Sequence, residues 1–281
     1  MSRAPSDRTA RPALVIADVD GTLVTTDKRL TPGAVAAVRR LDAAGVAFTL
    51  VSSRPPRGME ALVSELGLSR PFAAFNGGNL IAPDLTLLAA HRLTEDVTRR
   101  TLERLDRNGI GAWVFSAGDW RLRDLHGPNV ERERRAVGFD PTVVVGFEAD
   151  LEAVDKVVGV SNDHVLLARV EAEARVELGG AANVQLSQPY YLDITHPEAN
   201  KGAAVRSLCG LIGVDPARTA VIGDMFNDVA MFGVAGLSIA MGQAPAAVRR
   251  AADVTTASND EDGFARAIDR FILAAGLREA G

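Results

Sequence analysis

Ala13-Leu14-Val15-Ile16-Ala17-Asp18-Val19-Asp20-Gly21-Thr22-Leu23 is the stretch on which the fold turns. A short apolar run enters a polar turn, the pattern of a strand buried on both faces that stops at an acidic edge. Downstream, Thr31-Pro32 offers a cap and a proline for the first turn of a helix, with Val35, Val38 and Leu41 on its apolar face and Gly45 at its end. Val46 to Val51 is a second apolar run, closed by Ser52-Ser53-Arg54; a helix follows over 58–66, and Phe72 to Phe75 gives a third run closed by Asn76-Gly77-Gly78. Strand, helix, strand, helix, strand predicts a parallel sheet with crossover helices. Ligands bind such sheets at the carboxyl ends of their strands, where the polar residues stand.

The middle of the chain follows another pattern. A helix is expected over 94–108, a hairpin around Gly118-Asp119, strands near 156–161, 182–186 and 190–194, and a helix over 163–177. The parallel pattern returns with a helix over 201–212, a strand from Thr219 to Ile222, a short helix from Asp228 to Phe232 and a strand from Leu237 to Ala240. The fold class expected is α/β: a doubly wound, Rossmann-like parallel core with an inserted α+β cap. Residues 1–12 read as a loose tail, residues 13–83 and 196–281 as the core, and residues 84–195 as the cap.

Composition narrows the function classes. Apolar residues make up 47% of the 281 and charged residues 24%, with a net charge of -5, so the body is expected to fold and no basic face for nucleic acid is expected. No apolar run approaches the roughly 18 residues of a membrane span. The start has no secretory core, and the single cysteine, Cys209, sits in an apolar-periodic stretch as a buried small side chain. A cytoplasmic location without membrane partners is the expectation.

The chemistry lies in where the carboxylates stand. Asp18 and Asp20 are two apart at one strand end, and Asp224 and Asp228 flank the end of another. Any one of them alone reads as a turn or helix cap. Gathered at one sheet edge they would repel one another, and a hard divalent cation with oxygen ligands, Mg²⁺, resolves the repulsion. Gly21-Thr22 and Ser52 can offer donors to an anion, and Lys201 stands at a helix start, where the dipole disfavours a cation unless an anion lies in front of it.

At these residues the sequence resembles the haloacid dehalogenase-like hydrolases. Asp18-Val19-Asp20-Gly21-Thr22-Leu23 is similar to their first motif and Ser52 to the second. Lys201 in Asn200-Lys201-Gly202 is similar to the third, and Gly223-Asp224-Met225-Phe226-Asn227-Asp228 to the fourth. The insertion between the second and third motifs resembles the Cof-type branch with a type IIB cap. Ser53 stands where that branch usually has glycine. The resemblance implies a Mg²⁺-dependent phosphatase acting on a small phosphorylated metabolite, with a sugar phosphate as first expectation. It implies Asp18 as nucleophile and Asp20 as general acid and base, with a pKa raised relative to Asp18. Asp18, Asp224 and the Asp20 backbone carbonyl would hold the metal; Ser52, Lys201 and Asn227 would bind the phosphoryl group; Asp228 would orient the ligands. A sugar phosphomutase or a non-catalytic metal- and phosphate-binding module would share these residues. In the cap, Trp113, Trp120, Arg121, Arg123, His126, Tyr190 and His196 are open either to packing or to a pocket.

Overall fold

The computed structural model describes residues 11–148 and 151–274; the rest of the expected tail, residues 1–10, and residues 275–281 at the end of the expected core lie outside them. The chain opens with β1 (Leu14–Ala17) and α1 (Pro32–Ala43), whose N-cap Thr31 accepts from the Ala34 N–H. There follow β2 (Ala47–Leu50), a 3₁₀ turn Pro56–Met59, and α2 (Glu60–Leu66). Next, β3 (Phe72–Ala74), β4 (Asn79–Ile81) and β5 (Leu87–Ala90) form a three-stranded antiparallel sheet. This corrects the expectation for Phe72 to Phe75. The run does not become a full strand of the parallel sheet and meets it only through a bridge between Val51 and Ala73. The reversal comes at the turn after β3, where Phe75, Asn76 and Gly77 all take positive φ and send β4 back along β3. β5 lies beyond residue 83, on the sequence side assigned to the cap, yet pairs with β4.

The inserted segment holds α3 (Glu95–Arg107), β6 (Gly111–Ser116), β7 (Asp119–Leu122), α4 (Val130–Val137), β8 (Thr142–Val143), β9 (Val154–Val160), α5 (His164–Leu178), β10 (Asn183–Gln188) and β11 (Tyr191–Thr195). Its sheet runs β10-β11-β9-β6-β7-β8. One face packs Val114, Val154, Val157, Leu192 and Ile194 with α3 and α5. The other carries Trp113, Phe115, Val158 and Tyr191, and packs with α4 and with Phe75 from the turn after β3.

The chain then returns with α6 (Lys201–Ile212), β12 (Thr219–Gly223), α7 (Val229–Phe232), β13 (Leu237–Ala240), α8 (Ala246–Ala251), β14 (Val254–Thr255) and α9 (Gly263–Ala267). The core sheet is parallel throughout, in the order β14-β13-β12-β1-β2. β1, from the start of the chain, sits between β2 and β12. Val15, Ala17, Phe48, Leu50 and Ile222 bury against α1, α2 and α9, while Leu14, Ile16 and Val221 bury against α6, α7 and α8. Helices on both faces make this the doubly wound α/β fold the sequence predicts, and continuous apolar strands are what such two-sided burial requires. Cys209 is buried on α6, its thiol 3.3 Å from the Thr219 hydroxyl.

Candidate active site

The carboxyl ends of β1, β2 and β12 bring Asp18, Ser52 and Asp224 to one edge. Asp18 N–H donates to Ile222 O, so the ladder holds this residue to the last rung. The chain then turns about Val19, whose carbonyl accepts from the Thr22, Leu23 and Val24 N–H groups. Gly21 takes φ +85°, and a Cβ there would lie 2.4 Å from Asp224 Oδ2. Only glycine allows both that backbone and that approach. Gly21→Ala is therefore expected to destabilise the protein by ~1–3 kcal/mol and to blunt its thermal stabilisation by added divalent cation. A variant that melts with the wild type both without and with the cation would contradict this.

Lys201 heads α6, which Asn200 caps by accepting from the Ala203 N–H. Its side chain is 1% exposed, and Nζ lies 2.5 Å from Asp18 Oδ1 and 2.6 Å from Asp228 Oδ1. The second oxygen of Asp228 accepts from the Asp224 and Met225 N–H groups at 2.8 Å. Gly223 makes that loop possible, because a Cβ there would fall 2.4 Å from Asp228 Cγ. Thr22 Oγ1 donates to Asp224 Oδ1 at 3.3 Å. On the β2 side, Ser52 is fully buried and its hydroxyl accepts from the Arg54 N–H. Asn227 Nδ2 donates to Asn76 Oδ1 at 3.0 Å, while Asn227 Oδ1 is buried with no partner.

Ligand oxygens of Asp18, Asp224 and Asp228 lie within 4.8 Å of one another. Among the described residues, Lys201 is the only cation bonded to them, and the electrostatics show the shortfall. Burial pushes the Asp18 carboxyl well above the usual range; Lys201 opposes this, and Asp228 and Asp224 add to it. Burial, then Asp228, pushes Asp224 up to about 6. Lys201 is driven the other way: burial disfavours its charge, but Asp18 and Asp228 outweigh that and hold it protonated above its ordinary range. A hard divalent cation fits this set, since it would supply the missing charge to oxygen donors. Asp228 has both oxygens committed, to Lys201 and to the two N–H groups. That leaves the Asp18 and Asp224 carboxylates to face an ion.

Asp20 stands apart from the other carboxylates. Its oxygens accept from Arg54 Nε and Nη2, both at 2.7 Å, and Lys28 Nζ lies 2.8 Å away. Burial would raise its pKa, but Arg54 and then Lys28 outweigh burial and hold the carboxyl down to about 2. The expected order is thus reversed in this structure, with Asp20 low and Asp18 high. The bidentate arginine fork is the cause, and the sequence signalled it only as a basic residue two positions after Ser52.

The cap residues left open from sequence fall into place differently. Trp113 and Trp120 are buried and pack edge to face. Arg121 is near Asp119, and Arg123 pairs with Asp106. Exposed His126 caps a turn at Asp124 through its backbone N–H. Tyr190 lies under Arg132. His196 stacks on His91 with Glu198 nearby, where β5 runs into α3 and β11 into α6. Among the described residues, no hydrogen bond or ion pair joins Trp113, Trp120, Arg123, His126, Tyr190 or His196 to the carboxylate cluster.

Comparison with known proteins agrees with this architecture. Residues 15–268 match the haloacid dehalogenase-like hydrolase family, and the chain belongs to it. A crystal structure of a haloacid dehalogenase-like hydrolase from Bacteroides thetaiotaomicron superposes with a TM-score of 0.85 at 29% identity, covering 92% of this chain and 99% of that one. The HMP-PP phosphatase of Cronobacter sakazakii is 28% identical, over 81% of this chain and 83% of its own length. The 5-amino-6-(5-phospho-D-ribitylamino)uracil phosphatase of Bacillus subtilis is 26% identical, over 93% and 98% respectively. Among the described residues, no helix is long and apolar enough to cross a membrane.

Proposed function

We propose that this enzyme is a Mg²⁺-dependent phosphatase that hydrolyses a small phosphorylated metabolite, a sugar or sugar-alcohol phosphate, through a phosphoaspartate at Asp18. The observation that carries the reading is the buried Lys201 ammonium bridging Asp18 and Asp228 beside Asp224. The relatives named as phosphatases support hydrolysis of a phosphate ester, and one of those names describes a phosphorylated ribityl chain.

Asp18, Asp224 and the Asp20 backbone carbonyl would hold the ion; when bound, it supplies positive charge against the approach of two anions. Lys201 fixes one oxygen of Asp18 and leaves the other to form the bond to phosphorus. As that bond forms, the ester bond to the leaving oxygen breaks. Ser52 binds the phosphoryl oxygens through its hydroxyl and Asn227 through its amide Nδ2, which also donates to Asn76 Oδ1. Asp20 gives a proton to the leaving oxygen and later takes one from the water that cleaves the phosphoaspartate. For this its carboxylate must leave the Arg54 fork and gain a proton, so the arrangement with Arg54 is the resting one.

The test is phosphate release from p-nitrophenyl phosphate and from a panel of sugar phosphates, with Mg²⁺, with EDTA, and after Mg²⁺ is restored. Release that vanishes with EDTA and returns with Mg²⁺ is expected. Turnover indifferent to chelation, or no release from any ester, would sink the reading.

A further inference from the structure

The inserted segment joins the core at two crossings. Residues 91–94 lead from β5 to α3, and residues 196–200 lead from β11 to α6. His91 stands on the first crossing, His196 and Glu198 on the second. Far apart in sequence, the two imidazoles stack with centroids 5.3 Å apart and planes 26° from parallel. His91 Nδ1 lies 3.4 Å from Glu198 Oε2. One ligand atom from each of the three side chains lies within 4.8 Å of the others, and the group shares no residue with the acidic cluster at the sheet edge.

The backbone beneath each ligand is held. His91 N–H donates to Gly78 O at 2.7 Å. On the second crossing, Ala199 N–H donates to His196 O and Asn200 N–H to Glu198 O, both at 2.9 Å. Pro197 fixes φ between the two ligands there. Both histidines are half-buried and Glu198 is exposed, so an ion can reach all three from solvent.

The donor set decides which ion fits. Two imidazoles and one carboxylate suit Zn²⁺, whereas Mg²⁺ takes oxygen donors. Tetrahedral Zn²⁺, with bonds of about 2.0–2.1 Å, sets its ligand atoms about 3.4 Å apart. That is the separation already present between His91 Nδ1 and Glu198 Oε2, a contact too long for a good N–H···O hydrogen bond. His196 Nδ1 accepts from the Glu198 N–H at 3.1 Å. Binding through Nδ1 replaces that bond, and binding through Nε2 moves the ring proton to Nδ1; either way one exposed hydrogen bond is exchanged for a metal bond. Three protein ligands leave the fourth position to water. We propose that His91, His196 and Glu198 form a second metal site, for Zn²⁺ or a similar nitrogen-preferring divalent cation, which ties together the two crossings between core and insert. The site stands or falls independently of the chemistry at the sheet edge.

Histidine signals report on it without interference from that edge, whose acidic cluster contains no histidine. The chain has four: His91, His196, and the exposed His126 and His164. In ¹H–¹⁵N spectra of the full chain with Mg²⁺ saturating, about one equivalent of Zn²⁺ should shift the ring signals of His91 and His196 and leave those of His126 and His164 in place. Zn²⁺ retained on dialysis against excess Mg²⁺ should be greater in the wild type than in His91→Ala or His196→Ala by about one ion per chain. Glu198→Gln, which removes a charge and leaves both rings, should weaken that binding by about tenfold or more. Zn²⁺ held at the sheet edge would be the same in every variant and cancel from the comparison. Ring signals of His91 and His196 that stay in place, or that move only together with His126 and His164 at large excess, would overturn the proposal. So would equal retention of Zn²⁺ by the wild type and both alanine variants.

Discussion

Asp18→Asn should lower phosphate release by about four orders of magnitude or more, the scale seen when a nucleophile is removed from a preorganised site. The amide cannot form the phosphoaspartate, and nothing else on this edge can replace it. Asp224 is held by Thr22, and Asp228 is bound on both oxygens. The fold should survive the change. The substitution removes one negative charge from a cluster whose burial already pushes Asp18 toward its neutral form, so the melting temperature without added cation should hold or rise. A variant retaining a tenth of wild-type activity would reject the assignment, and one that melts well below the wild type would reject the expectation that the fold survives.

Lys201→Met should act on both stability and activity. The methionine fills similar volume but leaves Asp18 and Asp228 buried without their counter-charge. Breaking a buried pair from one side costs ~3–5 kcal/mol. At about 2–4 °C per kcal/mol for a chain of this size class, that is a fall of roughly 10 °C in melting temperature. Added Mg²⁺ should recover part of the stability, since the same carboxylates would hold it, but not the turnover. A variant that melts with the wild type would show that the ammonium is not the charge holding this edge together.

The core and its acidic edge were legible because both rest on local signals. Ala13 to Ala17 and Thr219 to Ile222 are short, mainly apolar runs, the first ending at Asp18 and the second at Gly223-Asp224. Thr31 announces its helix as a cap, and it accepts the hydrogen bond expected of one. What was not legible depends on contacts distant in sequence. β4 and β5 are too short for periodicity, and Leu87 and Leu88 are exposed, so no burial pattern marks them. The ionisation of Asp20 is decided by Arg54 and Lys28, and no spacing rule shows a guanidinium folding across to a carboxylate. Lys156 and Asp193 each look like an interruption of an apolar strand; only the pairing of β9 with β11 makes them one buried ion pair.

The central position of β1 has a consequence for biosynthesis. As the chain leaves the ribosome, Leu14–Ala17 emerges before the other strands of the core sheet, and β2 can flank it soon afterwards. Its other neighbour, β12, begins only at Thr219. Until then one edge of the first strand stays open, while the inserted segment, with its own sheet and apolar cluster, is already complete. The nascent chain can thus assemble its middle before its ends, and the open strand edge is the stretch a chaperone would have to guard.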